Sequence, residues 1–490
     1  MPVARWSLRS GTLAPTLAGQ TEPKLNGLGA GRSVCQRPFR AEPGYTTLVP
    51  DPNFSTAMSD DHEILLKRFY QALKDQPLEP GDRYYVPYLE QDPLHDPIAN
   101  LRQRIAWSEA ASVNLLSGQR GSGKSTGLRR LKEYLERDGC VVFLCDMRDY
   151  MNLTTPVEIS DFFMSAMVGL SEAVELRYQW DPKERGYWAR LWEFLNREIE
   201  FRELGVKADM ADFKASLKDD PSFKEKLQRF SRGHLAALIK QAHGFGVEVV
   251  NFIRTRENDP DRKVVLLLDS IEQIRGVGAD AKRVYDSVEN LFSAHADSLR
   301  LNLLHLVYTI PPYLMPLVPG LGRYLGGGIV HTLPSVHVFR REGVSVQCNE
   351  DERGVTILRD IIARRCQQWT RVFSEVQIKR MACISGGDLR DFFRLIREVL
   401  VSASMRDGGG LPVADRLLDN AENSLRREML PIAEEDKAWL RKISETKADG
   451  LAKKEELARL AGFFDTHLVL NYRNGDDWYD VHPLIRDVLG

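Results

Sequence analysis

A glycine-rich turn at residues 118–125 holds the residue types that chemistry with phosphate requires. The stretch "GQRGSGKS" satisfies the pattern G-x-x-x-x-G-K-[ST] through Gly118, Gly123, Lys124 and Ser125. Backbone N–H groups of such a turn surround a phosphate, the lysine reaches the outer phosphates, and the hydroxyl contacts Mg²⁺. The spacing therefore predicts binding of ATP or ADP together with Mg²⁺. The predicted phosphate-binding residues are Gly118, Gln119, Arg120, Gly121, Ser122, Gly123, Lys124, Ser125 and Thr126.

An acid at the end of an apolar run forms the second half of the predicted site. In "KVVLLLDSIEQIRG", residues 264–268 indicate a strand buried on both faces, and Asp269 follows at its carboxyl end, where open α/β sheets bind ligands. We predict that Asp269 and Ser125 hold Mg²⁺; the alternative is an acid that caps the next helix. Glu272 is the candidate for polarising the attacking water, and the alternative is a solvated first-turn glutamate. Ser270 directly follows Asp269, so there is no adjacent Asp-Glu pair and we expect slow hydrolysis. The predicted catalytic residues are Lys124, Asp269 and Glu272.

The surrounding pattern predicts an α/β P-loop fold with a parallel sheet of about five strands. A short apolar strand precedes the glycine-rich turn, and leucines follow the turn at helical spacing. Further strands are predicted at residues 141–146, 301–309 and 328–333. The strand at 301–309 is expected to lie between the two nucleotide-binding strands. Thr309 ends it and is the candidate for sensing the γ-phosphate, although threonine is common at strand ends for other reasons.

We predict five parts along the chain. Residues 1–57 indicate a disordered tail or an overcalled start, and residues 58–110 a helical linker. Residues 111–345 form the P-loop ATPase core with a large helical insert at about 151–260, and residues 346–432 form a helical lid. Residues 433–490 are predicted to form a winged-helix-like domain. An aromatic stripe in the insert is expected to be core: Trp188, Leu191, Trp192, Leu195 and Ile199.

Two segments far from the glycine-rich turn hold further candidates. In "CISGGDLRDFFRLIREVL", Arg390 stands early in a helix, as in a lid that lays an arginine over a nucleotide; the alternative is a surface arginine with Asp388 as the helix cap. The stretch "HLVLNYRNGDDWYDV" indicates a hairpin with Asn474-Gly475 at its turn, and Pro483 suits the first position of the next helix. His482 therefore stands at a helix N-terminus that attracts phosphate. The alternative is a histidine that caps its own helix or ties hairpin to helix.

Composition excludes several classes of protein. Over 490 residues, 43% apolar and 28% charged content describe an ordinary globular protein, and the net charge of -2 argues against a globally basic nucleic-acid binder. The six cysteines show no CxxC spacing, which favours reduced thiols in a cytoplasmic protein and argues against zinc or a disulfide scaffold. The most apolar stretch, residues 299–322, is broken by polar residues and prolines, so no membrane contact is predicted.

Four segments together resemble the AAA+-related STAND ATPases. They are "GQRGSGKS", "LLLDSIEQI", "GGDLRDFF" and the C-terminal pattern, and the resemblance spans roughly residues 85–490. This superfamily includes apoptotic ATPases and NLR-type immune receptors, and its lid is also similar to that of origin-recognition ATPases. The resemblance implies a nucleotide-gated switch that is closed with ADP and open, often oligomeric, with ATP. Many bacterial members serve in defence against phage, so antiviral defence is the expected setting.

The same resemblance implies roles for particular residues. Arg390 is expected to contact the nucleotide. The segment "RYYVPYLEQDPLHDPIANLRQRI" stands where the family's adenine-contacting linker lies, which implies base contacts for Tyr85, Val86 and Ile98. The segment "DVHPLIRDVL" is similar to the Met-His-Asp segment of NLR-type proteins, which implies that His482 holds the β-phosphate of ADP. A valine and a proline replace the methionine and the aspartate here.

Departures from the family pattern shape the expected partners. The Thr-x-Arg that follows the fourth strand in many family members is replaced here by "YTIPP". Neither a repeat array nor a recognisable effector domain is seen. We therefore expect that sensing of the trigger, or killing of the cell, depends on the insert or on a separate effector or sensor protein. Self-association is expected in the ATP state. The alternative function is a DNA-loading or transposition ATPase that grips duplex DNA. From Ala433 to Gly490, nine Lys and Arg stand against twelve acids, a net charge of -3, which disfavours DNA. A scaffold that binds ATP without turnover is the third alternative.

Overall fold

A five-stranded parallel sheet, seen in the computed structural model, carries both predicted halves of the site. Its strands are β1 Ser112–Ser117, β2 Val141–Asp146, β3 Val264–Asp269, β4 Leu304–Ile310 and β5 Val330–Thr332. Their spatial order is β2-β3-β4-β1-β5, which confirms the predicted strand between β1 and β3. The register places Asp146 beside Asp269 and Leu116 beside Thr309. The carboxyl ends of the strands therefore bring distant polar residues to one edge.

The described part of the chain comprises residues 60–91, 94–179, 193, 210–325, 328–341, 348–405, 410–450, 456–474 and 476–490. All of them belong to one compact unit, Thr56–Gly490. The predicted extension at residues 1–57 lies outside the described residues, as do the five members of the aromatic stripe in the insert. The predicted domain boundaries stay predictions.

Strands β3 and β4 are buried along their whole length because helices cover both faces of the sheet. On one face lie α2 Pro97–Trp107 and α3 Lys124–Arg137, which follow the first helix, α1 Asp60–Ala72. Leucines of α3 at helical spacing pack there against β2, β3 and β4, as their periodicity predicts. Helix α3 starts directly after the glycine-rich turn, so this packing fixes the turn at the end of β1.

The helices of the insert cover the other face. They are α4 Ile159–Tyr178, α5 Met210–Asp219 and α6 Pro221–Arg256, and the next helix is α7 Ala281–Phe292. Phe162, Phe245 and Phe292 contribute to one apolar cluster with β2, β3 and β4. His234 has non-helical backbone angles inside α6, at a kink. Within the described residues, the prediction of a helical insert is confirmed.

Four helices follow the core as the predicted lid. After two short helices, α8 Leu314–Leu317 and α9 Leu321–Tyr324, an antiparallel pair of strands, β6 Phe339–Arg341 and β7 Cys348–Glu350, leads into them. The lid helices are α10 Glu352–Arg365, α11 Glu375–Ile384, α12 Leu389–Ser404 and α13 Asp415–Glu428. The side chain of Asp388 accepts hydrogen bonds from the N–H groups of Arg390 and Asp391, so it caps α12 as the sequence suggested.

The C-terminal segment consists of two helices, a hairpin and a last short helix. These are α14 Glu434–Thr446, α15 Leu457–Asp465, β8 Val469–Asn474, β9 Asp476–Val481 and α16 Arg486–Leu489. The predicted hairpin is confirmed, with Asn474 beside Asp476 in an antiparallel register; Gly475 lies outside the described residues. Pro483 opens a short 3-10 turn before α16, also as predicted. Whether the segment works as a winged helix stays a prediction.

The apolar clusters join these parts. One cluster contains Phe69 of α1, Phe392 of α12 and the hairpin residues Leu470 and Tyr472. A change in the position of the lid would therefore displace buried side chains of the linker helix and of the hairpin. No helix among the described residues is long and apolar enough to cross a membrane.

Candidate nucleotide site

The glycine-rich turn is pressed against β5 and the lid. A Cβ on Gly118 would lie 2.5 Å from the carbonyl oxygen of Leu333, just after β5. A Cβ on Gly121 would lie 2.8 Å from both carboxylate oxygens of Asp388, and Gly121 has φ of 94°, in the left-handed region that glycine tolerates. Neighbouring atoms therefore leave no room for a side chain at these two glycines. The shape of the turn thus depends on where the lid helix α12 begins.

Lys124 is folded back on its own turn. Its ammonium donates hydrogen bonds to the carbonyl oxygens of Gly118 at 2.8 Å and Gln119 at 2.7 Å, and it lies 3.4 Å from a carboxylate oxygen of Glu272. The residue is only 4% exposed. A buried ammonium held by neutral carbonyl oxygens can exchange them for anionic phosphate oxygens, which accept stronger, charge-assisted hydrogen bonds.

Ser125 and Asp269 meet at the carboxyl edge of the sheet. The Ser125 hydroxyl hydrogen-bonds the Asp269 carboxylate, and Asp146 lies beside Asp269 on the neighbouring strand. Burial and the nearby carboxylate of Glu272 raise the pKa of Asp269 to about 6, although the Ser125 hydroxyl and the Ser270 N–H act in the opposite direction. A divalent cation would relieve this crowding of negative charge. A hydroxyl and carboxylates are the oxygen donors that Mg²⁺ prefers, so the residues fit the ion that the motif implies.

Glu272 faces the cavity above Lys124. It lies in a 3-10 turn, Ile271–Gln273, and is 8% exposed, so it is not the solvated glutamate of the alternative interpretation. Within the part of the chain that the structure describes, its Oε2 atom has no hydrogen-bond partner. A buried carboxylate oxygen with unused acceptor capacity is placed to take a hydrogen bond from water or ligand. Its role in polarising water stays a prediction.

Thr309 does not reach the cavity. The Thr309 hydroxyl accepts a hydrogen bond from the N–H of Ile271 at 3.0 Å and donates to the carbonyl oxygen of Leu268 at 3.3 Å. The side chain is fully buried. The Thr309 hydroxyl thus holds the turn that positions Glu272 and does not line the cavity, which argues against the predicted contact with a γ-phosphate.

A cavity of about 200 Å³ lies between the glycine-rich turn, the linker and the lid. Arg120 to Thr126 and Glu272 line one end, and aromatic and apolar side chains of linker and lid line the other. Tyr85 and Val86 are among the latter, and their contact with a base stays a prediction. Ile98 is not: it is fully buried, and its Cδ1 would lie 2.9 Å from a Cβ on Gly127 of α3. The expectation of a base contact for Ile98 is wrong because the side chain packs α2 against α3.

Ion pairs and hydrogen bonds hold the linker against α3. Arg130 of α3 pairs with the buried carboxylate of Asp96 at 2.9 Å, and its guanidinium lies 5.4 Å from the centre of the Tyr85 ring. The N–H of Leu78 donates to the Thr126 hydroxyl at 3.1 Å, so this predicted phosphate-binding residue also anchors the linker. The apolar end of the cavity is thus fixed relative to the phosphate end.

Arginines concentrate positive charge at the phosphate end. Arg120, Arg148 and Arg390 line the cavity, and Arg390 also pairs with Asp75 at 2.6 Å. Burial and the like charges of Arg390 and Arg275 lower the pKa of Arg120. Guanidinium groups held close to one another are stabilised by a polyanion between them. The predicted position of Arg390 over the cavity agrees with the structure, and its contact with a nucleotide stays a prediction.

Sequence reasoning did not assign Asp146 and Arg148 to the site. Asp146 pairs with Arg148, whose side chain lines the cavity. The signal was present: Asp146 ends a predicted strand, and β2 lies next to β3 in the sheet. The end of the cavity away from the turn likewise includes Arg365 and Phe393 of the lid, neither of which was assigned to the site from the sequence.

The cavity lining, as far as the structure describes it, does not include His482 or Gln119. His482 is fully buried; its Nδ1 accepts a hydrogen bond from the N–H of Leu484 at 3.2 Å, and its Nε2 lies 3.5 Å from a carboxylate oxygen of Asp391. The structure therefore agrees with the alternative of a helix-capping histidine and not with a β-phosphate contact. The Gln119 side chain does not line the cavity and donates to the carbonyl oxygen of Val469 at 2.8 Å, which ties the turn to the hairpin.

No protein-family model and no curated protein matches the chain. Among solved structures, the chain is similar to Cdc6p from Pyrobaculum aerophilum, at 13% identity over 86% of this chain and 96% of that one, with a TM-score of 0.36. It is also similar to the Aeropyrum pernix ORC2 protein with ADPNP and ADP, at 11% identity over 86% and 95%, with a TM-score of 0.39. The Walker-type ATPase of Pyrococcus abyssi matches at 12% identity over 85% and 99%, with a TM-score of 0.38. At these scores the similarities assign no function, which is therefore argued from this chain's own residues.

Proposed function

We propose that the chain is a P-loop ATPase that works as a nucleotide-gated switch. One observation carries the proposal: a single cavity is lined by the glycine-rich turn, the linker and the lid helix α12. Its phosphate end has Lys124 and three arginines, and its other end has the ring of Tyr85 and apolar side chains beside two further arginines. A nucleotide has the same division between a polyanionic end and a flat, largely apolar end.

The residues of the cavity divide the chemistry between them. Lys124 and the N–H groups of the turn bind and orient the phosphates, and Arg390 and Arg120 neutralise charge that develops on them. Ser125 and Asp269 would hold Mg²⁺, which supplies further charge neutralisation when it is bound. Glu272 accepts a proton or a hydrogen bond from the attacking water. Without an acid directly after Asp269, turnover is slow, and the bound state of the nucleotide persists long enough to act as a signal.

The switch rests on contacts between the turn and the parts around it. Gly121 lies against Asp388 at the start of the lid helix, and Gln119 is hydrogen-bonded to Val469 of the hairpin. The Tyr472 hydroxyl of the hairpin donates to the carbonyl oxygen of Gly386 at 2.9 Å, so the turn, the lid and the hairpin each contact the other two. A phosphate that moves the turn would therefore shift the lid and the hairpin.

The four ordered motifs support an AAA+-related ATPase of the STAND kind, and defence against phage is the setting we propose. A separate effector or sensor protein would then read the state of the switch, and the ATP form would self-associate. The DNA-loading alternative has no feature of the cavity in its favour, and the acidic C-terminal segment opposes it.

Nucleotide binding and turnover by the full-length chain test the proposal. Calorimetry should detect ATP and ADP binding with Mg²⁺, and Lys124→Ala should lose it while keeping its circular dichroism spectrum. Lys132→Ala is the matched control, because Lys132 lies on the same helix but does not line the cavity. Size-exclusion chromatography should show a larger species with a non-hydrolysable ATP analogue than with ADP. Equal binding by wild type and Lys124→Ala, or salt-sensitive nanomolar binding of duplex DNA without any nucleotide effect, would refute it.

A further inference from the structure

Four buried titratable side chains meet where the lid helix contacts the C-terminal segment. Asp388 and Asp391 come from the start of α12, His467 lies just before β8, and His482 lies just after β9; we call them the Asp–His cluster. All four are at most 8% exposed. Although Asp388 touches the glycine-rich turn, no member of the Asp–His cluster lines the nucleotide cavity.

The distances inside the Asp–His cluster are longer than those of strong hydrogen bonds. His467 Nδ1 lies 3.5 Å from Asp391 Oδ2 and 3.9 Å from Asp388 Oδ2, and His482 Nε2 lies 3.5 Å from the same Asp391 oxygen. Strong hydrogen bonds between such groups span about 2.7–3.0 Å. In a tetrahedral zinc site, bonds of about 2.0–2.1 Å place neighbouring ligand atoms about 3.4 Å apart. The His467–Asp391 separation therefore matches such an edge, and the His467–Asp388 separation is longer by about 0.5 Å.

Three polar atoms of the cluster are left without a hydrogen bond. Asp388 Oδ2, Asp391 Oδ2 and His482 Nε2 are all buried without one in the described part of the chain, although their side chains are at least nine-tenths buried. The other Asp388 oxygen already accepts from two backbone N–H groups, so the free oxygen is the one directed at His467. Buried polar atoms that converge without satisfying one another indicate a missing partner.

Charge points to a cation. With neutral imidazoles the cluster carries two buried negative charges, and Arg394 reaches only the other oxygen of Asp391, at 3.4 Å. A divalent ion would compensate both negative charges at once.

We propose that Asp388, Asp391 and His467 bind one divalent transition-metal ion, with Zn²⁺ as the best match. Their three ligand atoms lie within 4.8 Å of one another. The absence of paired cysteines does not weigh against this site, since its ligands are carboxylates and an imidazole. His482 is a positioning residue: its Nδ1 accepts from Leu484, so Nε2 carries the proton and points it at Asp391. The ion would fasten the lid helix to the base of the hairpin, next to the Gly121 turn.

Metal titration of the full-length protein tests this inference and does not depend on nucleotide. The protein is stripped with a chelator, dialysed and titrated with Zn²⁺ by calorimetry, in the Asp269→Asn background so that the Mg²⁺ residues do not contribute. We expect one ion per chain. His467→Gln and Asp391→Asn should each weaken binding by about 100-fold or more, and His482→Gln by about 10-fold, the lower limit for an outer partner. His95→Gln, at an exposed histidine, should bind like the parent.

A second measurement does not depend on the variants folding. Co²⁺ added to the metal-free Asp269→Asn protein, the parent of the variants, should give the visible absorption bands of a four-coordinate N/O site. One equivalent of Zn²⁺ should abolish these bands. Zn²⁺ should also raise the Tm of the parent at micromolar concentration. Absence of Co²⁺ bands together with no Zn²⁺ uptake would overturn the proposal and leave the cluster as an ion-pair network. Zn²⁺ binding that persists unchanged in folded His467→Gln and Asp391→Asn would overturn it equally.

Discussion

Asp269 should destabilise the protein at neutral pH when no cation is bound. Its carboxylate is nearly buried beside the carboxylate of Glu272 and next to Asp146, and its pKa is raised from 3.8 to about 6. Because the folded-state pKa lies above the unfolded value, the folded protein binds a proton between these pH values that the unfolded chain does not. The contribution to stability is thus greatest at low pH and is lost as the pH rises through about 6. Asp269→Asn removes the charge and keeps the shape.

The size of the effect follows from the pKa shift. The rise from 3.8 to about 6 corresponds to roughly 3 kcal/mol, at about 1.4 kcal/mol per pKa unit. The substitution also weakens the hydrogen bond from the Ser125 hydroxyl, which costs roughly 1 kcal/mol, so the net gain at pH 7.5 is about 2 kcal/mol. One kcal/mol shifts the Tm of a 150–250-residue domain by about 2–4 °C, and this larger unit should lie at the low end, with a rise of about 4 °C.

Thermal unfolding in EDTA, without nucleotide, measures this prediction. Asp269→Asn should melt at a higher temperature than wild type at pH 7.5, and the two should converge at pH 4.5. Asp138→Asn is the control with the opposite sign, because Asp138 pairs with Arg102 at 2.6 Å and its pKa is lowered by that partner. It should gain nothing at pH 7.5. The same Asp269→Asn protein should lose Mg²⁺-dependent ATP binding. A Tm that falls at pH 7.5, or a gain that is the same at both pH values, would refute the reasoning.

Three further substitutions test other parts of the site. Glu272→Gln should retain ATP but slow its hydrolysis by about 10²–10⁴-fold in single-turnover assays, and wild-type turnover would transfer the water-activating role elsewhere. Gly121→Ala should weaken ATP binding and lower the free energy of unfolding by about 1–3 kcal/mol, because its Cβ meets Asp388 and its φ is positive; unchanged calorimetry and Tm would contradict this. His482→Ala should also cost about 1–3 kcal/mol by leaving the Leu484 N–H unpaired. It should change ADP and ATP affinities equally, and a selective loss of ADP would restore the β-phosphate contact.

Local spacing made the sheet and the phosphate turn predictable. A strand, a glycine-rich turn and an amphipathic helix are encoded within about thirty residues, and continuous apolar runs such as Val264–Asp269 mark strands covered on both faces. In a parallel sheet the carboxyl ends of all strands lie at the same edge. This places Asp269 near Ser125, and the prediction needs no knowledge of side-chain rotamers. Of the strand order, one feature was predicted, namely that β4 lies between β1 and β3.

The errors concern side chains whose partners lie on other elements. Thr309 is at the expected strand end. However, the turn after β3 lies against it, and the N–H of Ile271 donates a hydrogen bond to the Thr309 hydroxyl. Ile98 is in the expected linker, but its side chain fills the space left by Gly127. In both cases the backbone was placed correctly, and the direction of the side chain was decided by a contact that no sequence period encodes.

The histidine near the C-terminus combines both situations. Its place at the start of a helix follows from Pro483, and the capping bond to Leu484 is local. Its other nitrogen faces Asp391, which is 91 residues away in sequence. Similarity to a Met-His-Asp segment predicted that the histidine contacts a nucleotide. In the structure its side chain instead faces the start of α12, the helix that begins beside the glycine-rich turn.

That arrangement changes how the C-terminal hairpin could respond to nucleotide. Instead of touching a phosphate, the hairpin is joined to the turn by Gln119 and to the lid by Tyr472. Because a Cβ on Gly121 would lie 2.8 Å from the Asp388 carboxylate, a shift of the turn towards α12 would press on the residue that caps this helix. The same carboxylate faces His467, so the displacement reaches the hairpin from a second side. Connections that converge on one hairpin would permit the discrete change of packing that the proposed switch requires.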